Sequence, residues 1–236
     1  MRYANESQTL AETNRLLQEL MGSQTECRVL EAGCGRKTHI ELDPRAFIVG
    51  IDIEPSEIGR NGRLSEALVG DIQSYPFEPS SFDLAVCWNV LEHLQEPVRA
   101  LDNMHAALRR EGSRLLVLGV PNVQSLKTLA VKLTPRRLHK RIWHWLYPWA
   151  DPNDDGPFPV VLSPSMSLAG LDRYARERNM TVVYRSTYES AMQTQLRRRL
   201  RIGDRWWRAF SFGLRALSAG KIDAWHSDAV VILRKD

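Results

Sequence analysis

Two glycines and an aspartate in the first quarter of the chain have the spacing of a nucleoside-binding site. Residues 29–35 (VLEAGCG) and 48–52 (IVGID) are apolar runs that end in a glycine turn and in an acid, respectively. Gly33 and Gly35 let the backbone turn sharply and approach a ligand, because neither has a Cβ. Asp52 follows Gly35 by 17 residues, where a ribose-binding carboxylate is expected at the end of a second parallel strand. The pattern predicts a nucleoside-containing ligand at the carboxyl edge of a parallel sheet.

The residues beside the turn indicate which nucleoside-containing ligand the site would bind. A dinucleotide fingerprint needs a third glycine, and that position holds Thr38. Glu31 precedes the turn, where it would repel a pyrophosphate and attract an ammonium group. S-adenosylmethionine has an α-amino group, a sulfonium and no phosphate, so it suits the turn better. A tight connection between two elements, with no ligand, is the alternative for these residues taken alone.

Length and composition predict one globular domain with two unlike halves. Among the 236 residues no apolar run has membrane-spanning length, and the polar N-terminus lacks the apolar core of a signal peptide. Cys27, Cys34 and Cys87 lack zinc-site spacing, which favours reduced thiols in a cytoplasmic protein. Residues 1–120 hold 12 basic and 18 acidic side chains, whereas residues 121–236 hold 20 and 10, with six of the seven tryptophans. The second half is therefore predicted to meet an acceptor or a surface.

Apolar strands that alternate with helical segments predict a parallel sheet covered on both faces. The predicted strands are 27–32, 46–52, 67–70, 82–88, 115–120, 180–184 and 229–233. The predicted helices are an amphipathic lid at 5–21, a helix from Leu91 to Leu108 closed by Gly112, two helical pieces within 121–149, a helix at 165–178 and one long basic segment at 193–217. Only about eleven residues separate Gly35 from Phe47, so any helix between the first two strands must be short or irregular.

In this order the motifs resemble those of the class I S-adenosylmethionine-dependent methyltransferases. Residues 82–94 (FDLAVCWNVLEHL) are similar to the fourth motif of the branch that methylates small molecules, quinone precursors and glycans. The resemblance covers about residues 25–122 and the last strand. It implies a Rossmann-like α/β fold: a seven-stranded, mostly parallel sheet of order 3-2-1-4-5-7-6 with strand 7 antiparallel. The expected organisation is one domain, with a lid helix at 1–24, a cofactor core at 25–122, a helical acceptor cap at 123–165 and the remaining core at 166–236.

The resemblance also implies how the cofactor S-adenosylmethionine is held. Asp52 would accept hydrogen bonds from both ribose hydroxyls, and Asp71 from the adenine amine. Glu31 would face the amino-acid portion, and Asn89 would line the methionine end. The implied cofactor residues are Glu31, Ala32, Gly33, Cys34, Gly35, Asp52, Ile53, Asp71, Ile72 and Asn89, in which the turn offers main-chain groups and the two isoleucines pack on the ring. A strand-end turn or a helix cap is the alternative for each aspartate.

Methyl transfer to a hydroxyl is helped by a general base, and His93 is the first candidate because imidazole titrates near neutral pH. Capping or packing of the helix after the fourth strand is the alternative for His93 and Glu92. His139, His144 and His226 are weaker candidates, expected at the surface or an interface. No acids and histidines have metal-ligand spacing outside the predicted cofactor role, so no metal is expected.

Two basic amphipathic segments, 136–149 and 196–217, stand outside the family core. The expected apolar stripes are Leu138, Ile142, Trp145, Leu146 and Trp149 in the first, and Leu196, Leu200, Trp207, Phe210, Leu214 and Leu217 in the second, with Arg197, Arg199, Arg205, Arg208 and Arg215 among the residues on other faces. Such helices are typical of proteins that bind anionic membrane surfaces. Packing on the domain as a wall of the acceptor pocket is the alternative. Nucleic acid is disfavoured, because no recognisable binding module accompanies the arginines.

The hypothesis from the sequence is a cytoplasmic enzyme that O-methylates a glycan, a lipid-linked sugar or another small metabolite, at the inner face of a membrane if the basic helices bind lipid. A non-catalytic scaffold of the same fold is disfavoured because three acids, Glu31, Asp52 and Asp71, are all present. An NAD-dependent reductase would need a Tyr-x-x-x-Lys pair, and no tyrosine has a lysine at that spacing. The acceptor, the methylated atom and the oligomeric state stay open.

Overall fold

A computed structural model gives the fold and describes residues 4–22, 27–112, 114–146, 160–161 and 163–236. The strands are β1 (Arg28–Ala32), β2 (Phe47–Asp52), β3 (Glu66–Val69), β4 (Leu84–Trp88), β5 (Leu115–Pro121), β6 (Met180–Tyr188) and β7 (Asp228–Lys235). The helices are α1 (Glu6–Met21), α2 (Pro55–Ile58), α3 (Pro97–Ala107), α4 (Leu126–Leu133), α5 (Arg136–Leu146), α6 (Leu168–Glu177), α7 (Ala191–Arg199) and α8 (Asp204–Leu217). Short 3-10 turns cover Leu91–His93 and Pro164–Met166.

The seven strands form one sheet in the order β3-β2-β1-β4-β5-β7-β6. β7 is antiparallel to both of its neighbours, β5 and β6, and the other pairs are parallel. This confirms the predicted Rossmann-like topology. β1 to β6 therefore all end at the same side of the sheet, which we call the carboxyl edge. In open α/β sheets this is the edge at which ligands bind.

The two faces of the sheet are packed into two separate apolar clusters. Successive residues of one strand enter opposite clusters, as Val29 and Leu30 do, because side chains alternate along a strand. α3 and α6 cover one face, and α1 lies on the other with Leu17 buried. Burial on both faces explains why the strands read as apolar runs rather than as alternating patterns.

The predicted helix from Leu91 to Leu108 is wrong in its extent. After the 3-10 turn the chain is extended at Leu94, and α3 begins at Pro97. Proline fits the first helical position and disfavours a helical conformation in the residue before it, so the helix cannot reach back to Leu91. α3 ends at Ala107 rather than near Gly112, because Leu108 forms an extended bridge with Phe82. Likewise the helix predicted at 165–178 begins at Leu168, capped by Ser167.

The single basic helix predicted at 193–217 is two helices, α7 and α8. α7 is closed by a Schellman motif, in which Ile202 N–H donates to the Arg197 carbonyl at 2.9 Å and Arg201 N–H to the Arg198 carbonyl at 3.1 Å. Arg201 adopts the left-handed conformation, φ 55°, that this motif requires. Gly203 then caps α8. The break changes the rotation of α8 relative to α7, so no single stripe can run through both helices.

The burial of this region bears on one alternative and corrects one expectation. Leu200, Phe210 and Leu217 are exposed, which disfavours the alternative in which the whole stripe packs on the domain. Arg197, expected on a polar face, is 6% exposed and pairs with Glu189 at 2.6 Å. Trp149 and the loop 151–159 lie outside the described residues.

The segment from Gly35 to Phe47 contains turns and no helix, as predicted. α1 is confirmed and begins with a capping box at Asn5. Its Asn14 side chain accepts the Glu41 N–H at 3.2 Å, so α1 holds the loop that follows the glycine turn. The role of α1 as a lid stays a prediction. No helix among the described residues is long and apolar enough to span a bilayer.

Candidate active site

The glycine turn lies between the end of β1 and the residues that follow β4. Gly33 and Gly35 have φ angles of 74° and 46°, which glycine adopts without strain. A Cβ on Gly33 would lie 2.3 Å from the Val90 side chain, whereas a Cβ on Gly35 would meet open space. Gly33 is therefore needed for close packing against Val90, and Gly35 for its backbone conformation alone.

All three amide groups of the turn already donate hydrogen bonds within the protein. The N–H groups of Gly33 and Cys34 donate to the Ile51 carbonyl at 2.8 and 3.1 Å. The Gly35 N–H donates to Asp52 Oδ2 at 2.9 Å. A pyrophosphate is held by amide donors that point at the ligand, and this turn uses its donors inward. The turn therefore does not fit a dinucleotide.

Glu31 provides a buried carboxyl beneath the turn. It is 3% exposed, and it accepts the Thr38 hydroxyl at 2.8 Å and the His39 N–H at 3.2 Å. Burial raises the pKa of Glu31 to about 7 against the opposing effect of these two hydrogen bonds. An ammonium group beside it would favour the ionised form, so the site fits a cationic ligand. Thr38, in the place of the third glycine, thus supports the carboxyl.

Asp52 and Asp71 stand at the ends of β2 and β3, on the carboxyl edge. Asp52 is half-buried, and besides the Gly35 amide it accepts the Glu54 N–H on Oδ1 at 3.0 Å. Both oxygens keep accepting capacity, since each carboxylate oxygen has two lone pairs. Asp71 is exposed and accepts the Gln73 N–H at 2.8 Å. Both aspartates lie at the carboxyl edge, and their roles as a ribose site and an adenine site stay predictions.

The remaining predicted cofactor residues lie at the same edge with different exposure. Ile53 is 69% exposed and Ile72 is 4% exposed, so Ile53 offers far more surface to a ring. Ala32 is buried where β1 pairs with both β2 and β4. Asn89 follows β4 in the left-handed conformation, φ 56°, and its side chain is exposed. All ten predicted cofactor residues therefore lie at or just after the carboxyl ends of four neighbouring strands, β1 to β4.

Glu92 and His93 lie in the 3-10 turn after β4. The Glu92 side chain is almost fully buried, and its Oε2 atom has no hydrogen-bond partner within the described part of the chain. Its Oε1 lies 3.9 Å from His93 Nε2, and the His93 side chain is 26% exposed. Burial raises the pKa of Glu92 to about 7, helped by the charge of Asp228 and opposed by Lys127. Sequence reasoning missed Glu92 as a site residue, although a carboxyl inside the apolar stretch VLEHL was a signal.

The other candidate histidines, His226, His144 and His139, lie in different parts of the structure from His93. His226, expected at the surface or an interface, is instead 3% exposed inside the chain, and its Nδ1 lies 2.8 Å from Asp223 Oδ2. The segment before β7 is held on both sides, because Leu126 N–H donates to the Asp223 carbonyl at 2.8 Å and Ser227 N–H donates to the Tyr188 carbonyl at 3.0 Å. His144 is half-buried on α5, and the side chain of His139 is not among the side chains that the structure describes. Among the described residues no three His, Cys, Asp or Glu side chains form a group that could hold a metal ion.

Comparison with known proteins agrees with the geometry. The sequence profile described as "Methyltransferase domain" matches residues 30–116. A tRNA (carboxymethyluridine(34)-5-O)-methyltransferase of Arabidopsis thaliana is 28% identical over 128 residues, covering 53% of this chain and 31% of that protein. A ubiquinone biosynthesis O-methyltransferase of Histophilus somni is 28% identical over 110 residues, covering 41% of this chain and 46% of that protein. The chain spans about half the length, or less, of the curated relatives it matches.

Solved structures show the same fold along the whole chain. The structure of a SAM-dependent methyltransferase from Archaeoglobus fulgidus has a TM-score of 0.54 at 16% identity, covering 96% of this chain and 93% of that one. The profile match spans β1 to β5, and the strand order extends the likeness to β7. Residues 30–116 are therefore identified as a methyltransferase domain, and the sheet has the strand order of the class I S-adenosylmethionine-dependent methyltransferase fold.

Proposed function

We propose that this protein transfers the methyl group of S-adenosylmethionine to a hydroxyl of a small organic acceptor, such as a glycan or a lipid-linked sugar. The observation that carries the proposal is the turn itself: its three amides are engaged, while the buried carboxyl of Glu31 lies beneath it. That combination suits a cationic amino-acid moiety and not a pyrophosphate. The names of two relatives, both O-methyltransferases, support oxygen as the acceptor atom.

When bound, S-adenosylmethionine supplies a methyl group already activated by a sulfonium. The protein has to hold the acceptor in line and to remove its proton. Asn89 is placed to line the methionine end, because its exposed side chain follows β4 directly. His93 is placed to take the hydroxyl proton at a ring nitrogen, four residues further on. Both residues follow β4, the strand next to β1, and β1 leads into the glycine turn.

The acceptor side of the proposed pocket is polar. Lys127, at the start of α4, donates to both carboxylate oxygens of Asp228 at 2.6 Å. This ion pair lies at the carboxyl edge, where β7 begins beside the end of β5, and its charges reach Glu92. Such groups can hydrogen-bond a hydroxylated acceptor and would be unfavourable against a purely apolar one. This supports a sugar-like or otherwise polar acceptor.

The compartment is a separate part of the proposal. Cys27, Cys34 and Cys87 are free and buried, which supports a reducing environment such as the cytoplasm.

The proposal is tested with purified protein, S-adenosylmethionine labelled in its methyl group, and a lysate of the source organism split into small-molecule, glycan, lipid, protein and RNA fractions. We expect label in a small-molecule, glycan or lipid fraction, with a methyl ether in the product by mass spectrometry. The Asp52→Asn protein, at equal concentration, is the matched control and should leave that fraction unlabelled. Label in protein or RNA, an N-methyl product, or binding of S-adenosylhomocysteine without transfer to any fraction would contradict the proposal.

A further inference from the structure

α8 carries a second apolar stripe on its exposed side. The inner face of the helix is formed by Trp207, Ser211 and Leu214, which are buried or half-buried. Trp206, Phe210 and Leu217 are 80%, 49% and 89% exposed, and their spacing of four and seven residues places them along one flank. Phe212, 76% exposed, adds a further aromatic ring. The stripe is not used to pack α8 against the rest of the described chain.

Basic side chains accompany this stripe. Arg205, Arg208 and Arg215 are exposed on α8, and its only acidic residue is Asp204 at the first position. Arg198 and Arg201 are exposed at the end of α7. A surface that combines exposed tryptophan and phenylalanine with arginines matches the interface of an anionic bilayer, where rings enter the headgroup region and cations meet phosphates.

α8 is attached to the body of the protein through contacts of α7. Arg197 pairs with Glu189 at 2.6 Å and with Asp204 at 3.0 Å, and its guanidinium lies over the Trp207 ring at 5.7 Å. Glu189 directly follows β6, which ends at the carboxyl edge. The exposed stripe is therefore fixed near the edge that carries the cofactor residues.

α5 adds a second apolar face to the same cluster of helices. Leu138, Ile142 and Trp145 are 40%, 38% and 46% exposed, at a spacing of four and three residues. The C-terminal end of α5 is attached to α7, because Gln195 and Arg199 both donate to the Leu146 carbonyl, at 2.8 and 3.1 Å. Arg199 also lies over the Trp145 ring at 5.2 Å. Two exposed apolar helix faces are thus joined by one basic helix.

We propose that the exposed residues of α8 (Arg205, Trp206, Arg208, Phe210, Phe212, Arg215 and Leu217), with the exposed face of α5, form a docking surface for the headgroup region of a membrane that contains anionic lipid. Charge complementarity selects this partner, because the exposed half of α8 carries Arg205, Arg208 and Arg215 on one flank and the apolar stripe on the other. The contact is peripheral, since no described helix has the length and apolarity to span the bilayer.

Co-sedimentation with vesicles tests the docking surface, with no methyl donor or acceptor present, so the result is independent of methyl transfer. Vesicles of phosphatidylcholine with about 30 mol% phosphatidylglycerol should bind the protein at low salt, and pure phosphatidylcholine should bind it at least about tenfold more weakly. Raising the salt to about 0.5 M should weaken binding to the anionic vesicles by a similar factor. No binding to the anionic vesicles at low salt would overturn the proposal.

The matched variants are Trp206→Ser with Leu217→Ser, and Val69→Ser as the control. Val69 is 55% exposed on the edge strand β3, at the opposite end of the sheet from β6, which leads into α7 and α8. The double variant should keep the melting temperature, since both side chains are exposed, and should bind anionic vesicles about tenfold or more weakly. The Val69→Ser protein should bind like the parent. Equal binding by the double variant, or a parent dimer in sedimentation velocity that the double variant loses while vesicles stay unbound, would contradict membrane docking.

Discussion

At the scale of single residues, Asp52 is oriented before any ligand arrives. Its two oxygens accept the N–H groups of Gly35 and Glu54, so the carboxylate plane is set by the backbone of the turn and of the segment after β2. A side chain fixed in its binding conformation loses little entropy on association. Asp52 therefore connects the glycine turn, through one hydrogen bond, to the predicted ribose site.

Replacing Asp52 by Asn tests that connection. The amide has one oxygen and one NH2 group, so it loses the charge and half of the accepting capacity. We expect the dissociation constant of S-adenosylhomocysteine to rise about 10- to 100-fold in isothermal titration, the range for hydrogen bonds to a charged group. Asp172→Asn, which breaks only the 2.8 Å pair with Arg185, is the control and should bind as the parent does. An unchanged dissociation constant in Asp52→Asn would refute the assignment.

Glu31 makes cofactor binding depend on pH. Its pKa of about 7 means that the carboxyl is largely neutral below that pH and ionised above it. Because the ionised form attracts the ligand's ammonium group, affinity for S-adenosylhomocysteine should rise about tenfold from pH 5.5 to pH 7. At strongly alkaline pH the ligand's own α-amino group loses its proton, and affinity should fall. Titration calorimetry across this range gives the profile.

The Glu31→Gln protein distinguishes titration of Glu31 from partial unfolding at acidic pH. It should bind S-adenosylhomocysteine weakly, and its affinity should not rise between pH 5.5 and 7. The stability of the wild-type protein should change with pH in the opposite direction to its affinity. The raised pKa means that the folded protein binds more protons than the unfolded chain between about pH 4.5 and 7, so wild-type stability falls as pH rises through that window. Glu31→Gln should therefore melt above the parent at pH 8. A parental pH profile in the variant would exclude Glu31 as the titrating group.

His93 is the residue whose chemistry is most open to test. If its ring takes the acceptor's proton, His93→Ala should lower kcat about 10²- to 10⁴-fold, with little change in the affinity for S-adenosylhomocysteine. The half-buried His105 on α3 supplies the control variant His105→Gln, which should keep the parental kcat. Near-normal turnover by His93→Ala would leave the ring with a packing role beside Glu92.

At the scale of elements, the two glycines of the turn should respond differently to the same substitution. Gly33→Ala places a methyl group 2.3 Å from Val90 in a left-handed backbone, and we expect a loss of about 3 kcal/mol in the free energy of unfolding. Gly35→Ala has open space and should lose only about 1 kcal/mol. Urea unfolding measures both values, and equal losses would show that contact with Val90 is unimportant.

The elements themselves were predictable to different degrees. Buried strands could be located from sequence because burial on both faces makes each an apolar run, as in β1 and β5. Helix ends were not, because they depend on details such as the extended residue before Pro97. The break between α7 and α8 rests on the left-handed Arg201, a residue with no intrinsic preference for that conformation. Arg197 was misplaced because its partner Glu189 comes from the end of β6, which helical periodicity cannot reveal.

At the scale of the whole molecule, the predictable part of the site is the part that follows directly from strand ends. Gly33, Asp52 and Asp71 each lie immediately at or after a strand, so a parallel topology brings them to one edge without knowledge of distant contacts. Glu92 differs, because its burial and its neighbours Lys127 and Asp228 come from α4 and β7, more than 30 residues away. The surroundings of Glu92 are therefore a product of tertiary packing.

Because the predicted cofactor residues lie at the ends of β1, β2, β3 and β4, binding should stabilise the whole sheet. A ligand that binds only the folded state at 100 times its dissociation constant adds about 2.7 kcal/mol. For a chain of this length that corresponds to a rise of roughly 5–10 °C in the melting temperature, measured by calorimetry. S-adenosylhomocysteine should produce this rise, and NAD at the same concentration should produce none, because the turn's amides are engaged. A rise with NAD, or none with S-adenosylhomocysteine, would contradict the interpretation of the turn as a site for a cationic ligand.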